Sequence, residues 1–148
     1  MTGLGTFIST RGRYAIRVLI DLADNYGKAR VPLKDIAARQ DISLKYLESI
    51  MPVLVKGGIV SGSQGKGGGY ALDVPPSECM VGHVLRLTEG SMCTVACLEN
   101  GGVPCERAGS CKTLPMWKKL DELINGFLDT VSIQDLETNS PLIQIREG

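Results

Sequence analysis

The strongest indication of how this chain folds is the segment Ile42-Ser43-Leu44-Lys45-Tyr46-Leu47-Glu48-Ser49-Ile50-Met51. Ser43 is of the residue type that caps helix N-termini, and the apolar residues after it recur at helical spacing. We expect a helix whose buried face begins with Leu44 and Leu47. Pro52 lies within this helix and predicts a kink in its second half, because proline removes one backbone hydrogen bond.

Two shorter helical patterns precede this segment, and a glycine-rich hairpin follows it. Apolar residues recur with a helical period over residues 13–26 and again over residues 33–37. Downstream, strand-forming residues flank the turn Gln64-Gly65-Lys66-Gly67-Gly68-Gly69, which predicts two strands joined by a glycine-rich tip. Three helices followed by such a hairpin are typical of a winged helix-turn-helix, which we assign to residues 1–75.

The second half of the chain, residues 76–148, has a different organisation. A short helix is predicted over 81–89, followed by a loop over 90–111 that holds four of the five cysteines. A long helix is predicted over 113–130, and its apolar residues step by 3 and 4 positions, as in a coiled-coil seam. These residues are Trp117, Leu120, Ile124 and Phe127. The predicted class is mainly α, a winged helix-turn-helix DNA-binding domain with a long C-terminal helix that forms a homodimer.

Length and charge narrow the class of protein. The chain has 148 residues, which suits one folded unit, and 43% of them are hydrophobic, too many for a disordered chain. Residues 1–70 carry ten basic and five acidic side chains, whereas the remainder carries six and eleven. This asymmetry favours a polyanionic partner for the first half. No apolar run approaches a membrane span and no secretion signal is evident, so we expect a cytoplasmic protein without membrane contact.

Polar side chains on the third helix are the candidate contacts to double-stranded DNA. In a helix-turn-helix the N-terminal part of this helix enters the major groove, and a dimer reads a quasi-palindromic operator. Ser43, Lys45, Tyr46 and Ser49 lie off the apolar face and could contact phosphates or base edges. Lys66, at the tip of the hairpin, would contact the neighbouring phosphate backbone.

The loop cysteines are candidate metal ligands. Cys97, Cys105 and Cys111 lie among glycines, and Cys93 precedes the first of them by four positions. Without a secretion signal disulfides are disfavoured, which favours metal binding or redox chemistry. Zinc prefers closely spaced cysteine pairs, whereas wider spacing suits an iron–sulfur cluster, and spacing alone leaves zinc and plain thiols open. Cys79 lies outside the loop and is expected to be a half-buried apolar residue.

The sequence carries no recognisable catalytic constellation. Its only histidine, His83, stands on the short predicted helix, where a lone histidine is usually structural or exposed. No Ser–His–Asp set or pair of carboxylates is evident, and the turn around Lys66 lacks the spacing of a phosphate-binding loop. We therefore predict that the protein is not an enzyme.

Several short motifs resemble one family of regulators in order and spacing. The chain resembles the Rrf-type winged-helix regulators from about Thr10 to Leu136, and among them the IscR-like members most. The resemblance implies a homodimeric DNA-binding repressor or activator whose long C-terminal helices cross at the dimer interface. The motifs are Thr10-Arg11-Gly12-Arg13-Tyr14-Ala15, Val31-Pro32-Leu33, Ile42-Ser43-Leu44-Lys45-Tyr46-Leu47-Glu48 and Gly67-Gly68-Gly69-Tyr70.

The resemblance also bears on the cysteine loop. In cluster-binding members three cysteines precede the long helix, and Cys97, Cys105 and Cys111 occupy the matching places. It thus implies an iron–sulfur cluster, which we expect to be [2Fe–2S] and absent from an apo form. Leu114 replaces the histidine ligand of IscR-like members, so the fourth ligand is open, with Cys93 as first choice. The alternatives are His83, Glu99, Glu106 and an exogenous thiol.

Two further positions concern operator recognition. Glu48 matches an acid that IscR-like members use to discriminate between operator classes. Gln64 stands where the wing of family members usually carries a base-contacting arginine.

The leading hypothesis is a cluster-sensing regulator, and the alternative is a winged-helix regulator without a cluster that responds to thiol oxidation or a partner protein. A zinc-stabilised interaction module that does not bind DNA is a third possibility.

Overall fold

Six α-helices and one β-hairpin make up the part of the chain that the structure describes. The computed structural model describes residues 7–95, 98 and 109–139. A 3-10 turn at Pro76–Glu78 precedes the fourth helix. None of the described helices is long and apolar enough to cross a membrane. The elements are α1 (Thr10–Ala23), α2 (Leu33–Gln40), α3 (Leu44–Lys56), β1 (Val60–Ser63), β2 (Gly69–Leu72), α4 (Val81–Glu89), α5 (Leu114–Leu128) and α6 (Ile133–Glu137).

Helix α1 packs against four of the other helices and β2. Ser9 caps it, and the Ser9 hydroxyl oxygen accepts a hydrogen bond from the backbone N–H of Gly12 at 3.1 Å. The helix begins and ends three residues earlier than the sequence predicted. Because α1 touches α2 and α3 on one side and α4 and α6 on the other, elements from both halves of the chain share one hydrophobic core.

Helices α2 and α3 form the predicted helix-turn-helix. Asp41 ends α2 in a left-handed backbone conformation with a φ of 53°. Ser43 then caps α3, since its side chain accepts a hydrogen bond from the backbone N–H of Tyr46. The helix continues through Pro52 to its end at Lys56. Its buried residues are Leu47, Ile50, Met51 and Leu54.

The predicted burial of Leu44 is wrong. Its side chain is 42% exposed, whereas that of Leu47 is 0% exposed. Leu44 lies about 60° around the helix from Leu47, at the edge of the buried face and in the first turn. The periodicity in the sequence shows that both residues are apolar, but it does not show where the neighbouring helices end.

The wing consists of β1 and β2, which pair antiparallel with Ser63 opposite Gly69. Val31 adds an antiparallel bridge to Tyr70, in which each backbone N–H donates to the other residue's carbonyl at 2.8 Å. Gly69 has a φ of +136°, and a Cβ there would clash with the carbonyl oxygen of Val31. The bridge therefore requires glycine at this position, which ties the wing to the segment before α2.

A second antiparallel bridge joins the segment before α4 to the segment before α6. The backbone N–H of Val81 donates to the carbonyl of Val131, and that of Ile133 donates to the carbonyl of Cys79, both at 2.8 Å. Cys79 is 2% exposed, more buried than the sequence predicted. Burial raises the pKa of its thiol to about 11, so this cysteine is a protonated core residue at neutral pH.

Helix α5 differs from the others because none of its residues is buried. It is shorter than the predicted span of residues 113–130, since it begins at Leu114 and ends at Leu128. Thr113 takes the N-cap position without a side-chain capping bond.

Candidate nucleic-acid interface and cysteine loop

The first turns of α3 present a polar surface to solvent. Lys45, Glu48 and Ser49 are exposed, and Ser43 is exposed at the cap. The Ser49 hydroxyl donates a hydrogen bond to the carbonyl of Tyr46 at 2.6 Å, which leaves its oxygen able to accept from another partner. The structure thus brings four of the predicted contact residues to one accessible end of the helix.

Tyr46 is less available than the sequence predicted, because it is half-buried. Its ring meets that of Tyr14 on α1 edge to face, with centroids 5.6 Å apart and an angle of 76° between the planes. This is a favourable arrangement for two aromatic rings. The ring of Tyr46 therefore anchors α3, the recognition helix predicted for the major groove, to α1.

Basic residues of α1 extend this aromatic contact. The Arg17 guanidinium carbon lies 5.2 Å from the Tyr14 ring centroid, and that of Arg13 lies 5.9 Å from it. Arg17 also donates from Nε to the side-chain oxygen of Gln40 at 3.2 Å and from Nη2 to the carbonyl of Gln40. The helical pattern of the sequence indicates no role for these residues, although Arg13 and Tyr14 lie within the motif of residues 10–15 that resembles the family. Their role depends on contacts between helices that local periodicity does not reveal.

Asp21 is a further residue that the sequence did not single out. Its carboxylate is 5% exposed and accepts hydrogen bonds from Arg39 Nε at 3.0 Å, Arg39 Nη2 at 2.7 Å and Gln40 Nε2 at 3.1 Å. Burial favours the neutral acid, but these hydrogen bonds and the charge of Arg39 outweigh it, so the pKa of Asp21 lies below its ordinary value. The resulting ion pair fixes α1 to the end of α2, directly before the turn into α3.

The wing presents its two predicted contact residues to solvent. Gln64 and Lys66 are both exposed. The base of the wing is held by Arg30, which donates to the carbonyl and the hydroxyl of Ser61 at 2.8 and 3.1 Å. The Ser61 hydroxyl in turn donates to the Asp73 carboxylate at 2.8 Å. The wing thus has a fixed base and exposed polar side chains at its tip, which suits contact with a phosphate backbone.

The cysteine loop is described only at its two ends. Cys93 is half-buried, and its thiol donates to the carbonyl of Leu98 at 3.1 Å. Cys111 is also half-buried, with its sulfur 3.3 Å from the hydroxyl oxygen of Thr113. Within residues 7–95, 98 and 109–139, no three His, Cys, Asp or Glu side chains converge as a metal site requires. The remaining predicted loop ligands and alternatives, Cys97, Cys105, Glu99 and Glu106, lie outside the described residues.

Helix α5 holds the first residues of this loop. The Asp121 carboxylate accepts from the backbone N–H of Thr94 at 2.7 Å, and the Asn125 side-chain amide donates to the carbonyl of Met92 at 3.0 Å. These two bonds flank Cys93 in the chain, so its backbone is fixed to α5 on both sides. His83, the other alternative ligand described, is exposed on α4.

The residue that leads into the loop is tied to the start of α1. Both carboxylate oxygens of Glu89, the last residue of α4, accept hydrogen bonds from Ser9, one from its hydroxyl at 2.8 Å and one from its backbone N–H. Gly12 lies against the same carboxylate, where a Cβ would approach Glu89 Oε1 to 3.0 Å. The cysteine loop therefore begins at a contact with the helix that supports the recognition helix.

The opposite face of α5 is apolar and exposed. Its four most exposed apolar residues step by four, three and four positions, the spacing of one helical stripe. The predicted seam is therefore rotated, because Trp117 and Ile124 are half-buried while Leu120 and Phe127 lie in the exposed stripe. The exposed stripe consists of Met116 (53%), Leu120 (37%), Leu123 (59%) and Phe127 (54%).

Comparison with known proteins places this fold in a family. Residues 8–139 match the Rrf2 family, described as an iron-dependent transcriptional regulator. The transcriptional regulator IscR of Klebsiella pneumoniae (strain 342) is 36% identical over 138 residues, which cover 93% of this chain and 83% of that protein.

Solved structures agree with this match. The structure of CymR, the global cysteine regulator of B. subtilis, aligns with a TM-score of 0.75 and 32% identity over 89% of this chain and 96% of that one. The structure of T. potens IscR aligns with a TM-score of 0.71 and 31% identity over 99% and 95%. The relatives are named as regulators, and transcriptional regulators are not enzymes, as predicted for this chain. The chain belongs to the Rrf2 family of winged-helix transcriptional regulators.

Proposed function

We propose that this protein is a homodimeric, sequence-specific transcriptional regulator whose affinity for DNA depends on an iron–sulfur cluster held by its cysteine loop. The observation that carries the proposal is the contact of Glu89 with Ser9. Glu89 directly precedes the loop, and Ser9 caps the helix that packs against the recognition helix. If cluster binding changes the conformation of the loop, this contact would be the first to change.

The cysteine thiolates of the loop are suitable ligands for an iron–sulfur cluster. Thiolates are the ligands that such clusters prefer, and the loop supplies Cys97, Cys105 and Cys111. Cys93 is our choice for the fourth ligand, because Asp121 and Asn125 fix its backbone on both sides and the residue is half-buried. A [2Fe–2S] cluster would supply a one-electron redox centre and a lability towards iron loss or oxidants.

The residues of the DNA-binding half divide into two groups by position. Lys45 and Lys66 carry exposed positive charges on α3 and at the wing tip, where they would neutralise phosphates of the operator. Ser43, Ser49 and Glu48 are exposed in the first turns of α3 and would meet base edges in the major groove. Gln64 lies on the wing and would contact the adjacent groove, whereas Tyr46 on α3 would contact the major groove together with Ser43 and Ser49.

The dimer would form through the exposed apolar stripe of α5. A stripe of four large apolar side chains on one helix is the kind of surface that a second copy covers. A two-fold dimer would present two recognition helices, which suits a quasi-palindromic operator. The same helix would hold the cysteine loop on its polar face and the partner subunit on its apolar face.

Anaerobic purification tests the cluster directly. We expect a coloured protein with thiolate-to-iron absorption in the visible range, close to two iron and two sulfide ions per chain, and a different operator affinity after removal of iron. Equal operator affinity of the loaded and metal-free dimers would contradict the sensing role. A colourless protein that binds zinc instead would contradict the choice of metal.

Similarity to the solved CymR supports a second candidate, a winged-helix regulator of the same shape without a cluster. In that case the loop thiols themselves, or a partner protein, would provide the signal. Treatment of the metal-free protein with peroxide separates the candidates. A reversible change in operator affinity, lost when the loop cysteines are replaced by alanine, would favour the thiol-based regulator.

A further inference from the structure

Leu44 is a large apolar residue exposed at the end of α3 where DNA contacts are expected. It is the first residue of the helix, directly after the cap residue Ser43, and 42% of its side chain is exposed. Isolated exposed apolar residues are common on protein surfaces, and Val55 in the last turn of the same helix is 43% exposed. Leu44 differs from Val55 in its position at the N-terminal end of α3 and in its neighbours.

The position of Leu44 places it beside Glu48. Residues four apart lie on the same side of a helix, one turn above the other. Glu48 is exposed, and the buried line through Leu47 is about 60° away from Leu44. An apolar and an acidic side chain thus stand next to each other on one flank of the helix, between its buried face and the polar face of Lys45 and Ser49.

These two side-chain types match two features of neighbouring pyrimidines in the major groove. A carboxylate accepts a hydrogen bond from the cytosine amino group, and an apolar side chain contacts the C5-methyl group of thymine. We propose that Leu44 is a specificity-determining residue that selects a thymine by its methyl group, next to the base that faces Glu48. This inference rests on the proposed DNA-binding function and adds a residue to the recognition surface.

Deoxyuridine is the appropriate probe, since it keeps the pairing of thymine and removes only the methyl group. An operator is first selected from random duplexes with the full-length protein. Each thymine is then replaced singly by deoxyuridine, and the dissociation constant is measured for every duplex. For the unchanged protein, we expect one thymine in each half-site at which the replacement weakens binding about three- to tenfold.

The variant Leu44→Ala should bind the thymine and deoxyuridine duplexes equally, with an affinity near that of the unchanged protein for deoxyuridine. Leu44→Asn, which keeps the approximate size but not the apolar character, should also lose the preference. Val55→Ala is the matched control and should keep the full difference. Because both residues are exposed, thermal unfolding of the variants should remain close to that of the unchanged chain.

The outcomes separate this inference from the proposed function. If no operator is selected at all, sequence-specific DNA binding itself is wrong. If an operator is selected but no thymine is sensitive, or if Leu44→Ala and Leu44→Asn keep the sensitivity, Leu44 does not read a methyl group. A loss of sensitivity in Val55→Ala as well would assign the effect to the helix as a whole and overturn the specific role of Leu44.

Discussion

Arg39 on α2 holds the buried carboxylate of Asp21 on α1 with two hydrogen bonds, 3.0 Å from its Nε and 2.7 Å from its Nη2. Asp21 is 5% exposed, whereas the side chain of Arg39 is 50% exposed. Gln40 donates to the same carboxylate and receives hydrogen bonds from Arg17, so the end of α2 is fixed to α1 from both sides. The turn that leads into the recognition helix therefore starts from a fixed point.

Replacing Asp21 should lower the free energy of unfolding. The substitution Asp21→Asn removes the negative charge and replaces one of the two oxygens that accept from Arg39 and Gln40 by an amide donor, at a cost of about 1–3 kcal/mol. Asp24→Asn is the control, since Asp24 is exposed at the end of the same helix and should cost under about 0.5 kcal/mol. Urea denaturation at pH 7 measures both, and equal stability of the two variants would contradict a structural role for the pair.

The same pair predicts a pH dependence. The pKa of Asp21 is lower in the folded protein than its ordinary value of 3.8, so its charged form is favoured by folding. Its contribution is fully present above pH 3.8 and is lost as the pH falls through the folded pKa. The difference in unfolding free energy between the unchanged protein and Asp21→Asn should therefore shrink below about pH 4. A difference that grows with acidity would contradict this assignment.

Features with a local cause were predictable from the sequence. The cap at Ser43, the end of α2 before Ile42 and the glycines of the wing each depend on residues close in the chain. The exposure of Leu44 and the half-burial of Tyr46 were not predictable, because they depend on where the neighbouring helices lie. A helical period identifies an apolar face but does not identify which residue at its edge meets a partner.

Helix α5 illustrates the same limit. Its 3-4 apolar spacing predicted a seam, but the hydrogen bonds of Asp121 and Asn125 to the preceding loop orient the helix. The face opposite to those bonds is the exposed one, so Leu123 rather than Ile124 lies in the stripe. The polar residues that set this rotation find their partners about 30 positions away, beyond the reach of any local pattern.

Two substitutions should separate specific from nonspecific DNA contacts. Lys66→Ala removes an exposed charge at the wing tip, so it should weaken binding to all sequences and lower the salt slope by about one unit. Ser49→Ala removes an exposed hydroxyl from α3 and should lower the preference for operator over random DNA by about 1 kcal/mol, with an unchanged salt slope. Titrations at several salt concentrations measure both quantities. An equal effect of both variants on specificity would contradict the division into phosphate and base contacts.

Charges placed in the exposed stripe of α5 should dissociate the proposed dimer. Leu123 is 59% exposed and Phe127 54% exposed in one chain, so either substitution by glutamate leaves the monomer fold intact. We expect Leu123→Glu to sediment as a monomer at micromolar concentration and to bind the operator weakly. Lys118→Glu, also exposed on α5 but on another face, should remain a dimer. A monomeric unchanged protein would refute this interface.

Loss of the bond from Asp121 should expose Cys93 to reagents. Its carboxylate accepts from the N–H of Thr94, so Asp121→Ala frees one end of the backbone around Cys93. The experiment uses the metal-free protein in which Cys97, Cys105 and Cys111 are replaced by serine. In this background we expect a disulfide reagent to modify Cys93 several times faster with Asp121→Ala than without it. Glu122→Ala, an exposed neighbour on the same helix, is the control and should leave the rate unchanged. An unchanged rate in Asp121→Ala would mean that this bond does not limit access to the thiol.

Single alanine substitutions identify the ligands of the proposed cluster. Cys97→Ala, Cys105→Ala and Cys111→Ala should each lose iron and sulfide after anaerobic reconstitution, because each removes one of the three thiolates that the proposed cluster requires. Cys79→Ala is the control and should retain the cluster, since this thiol is buried in the core with a pKa of about 11. It should lower stability modestly, through the loss of a buried side chain.

Cys93→Ala decides the fourth ligand. If Cys93 is a ligand, this variant should lose iron or show a shifted visible spectrum, as expected when a thiolate is exchanged for an oxygen or nitrogen donor. Full iron with an unchanged spectrum would exclude Cys93 and leave an alternative such as His83, whose exposed position on α4 makes His83→Ala the next variant. Retention of iron in Cys105→Ala would overturn the cluster itself, because the thiolates of Cys97, Cys105 and Cys111 are the minimum that the proposal requires.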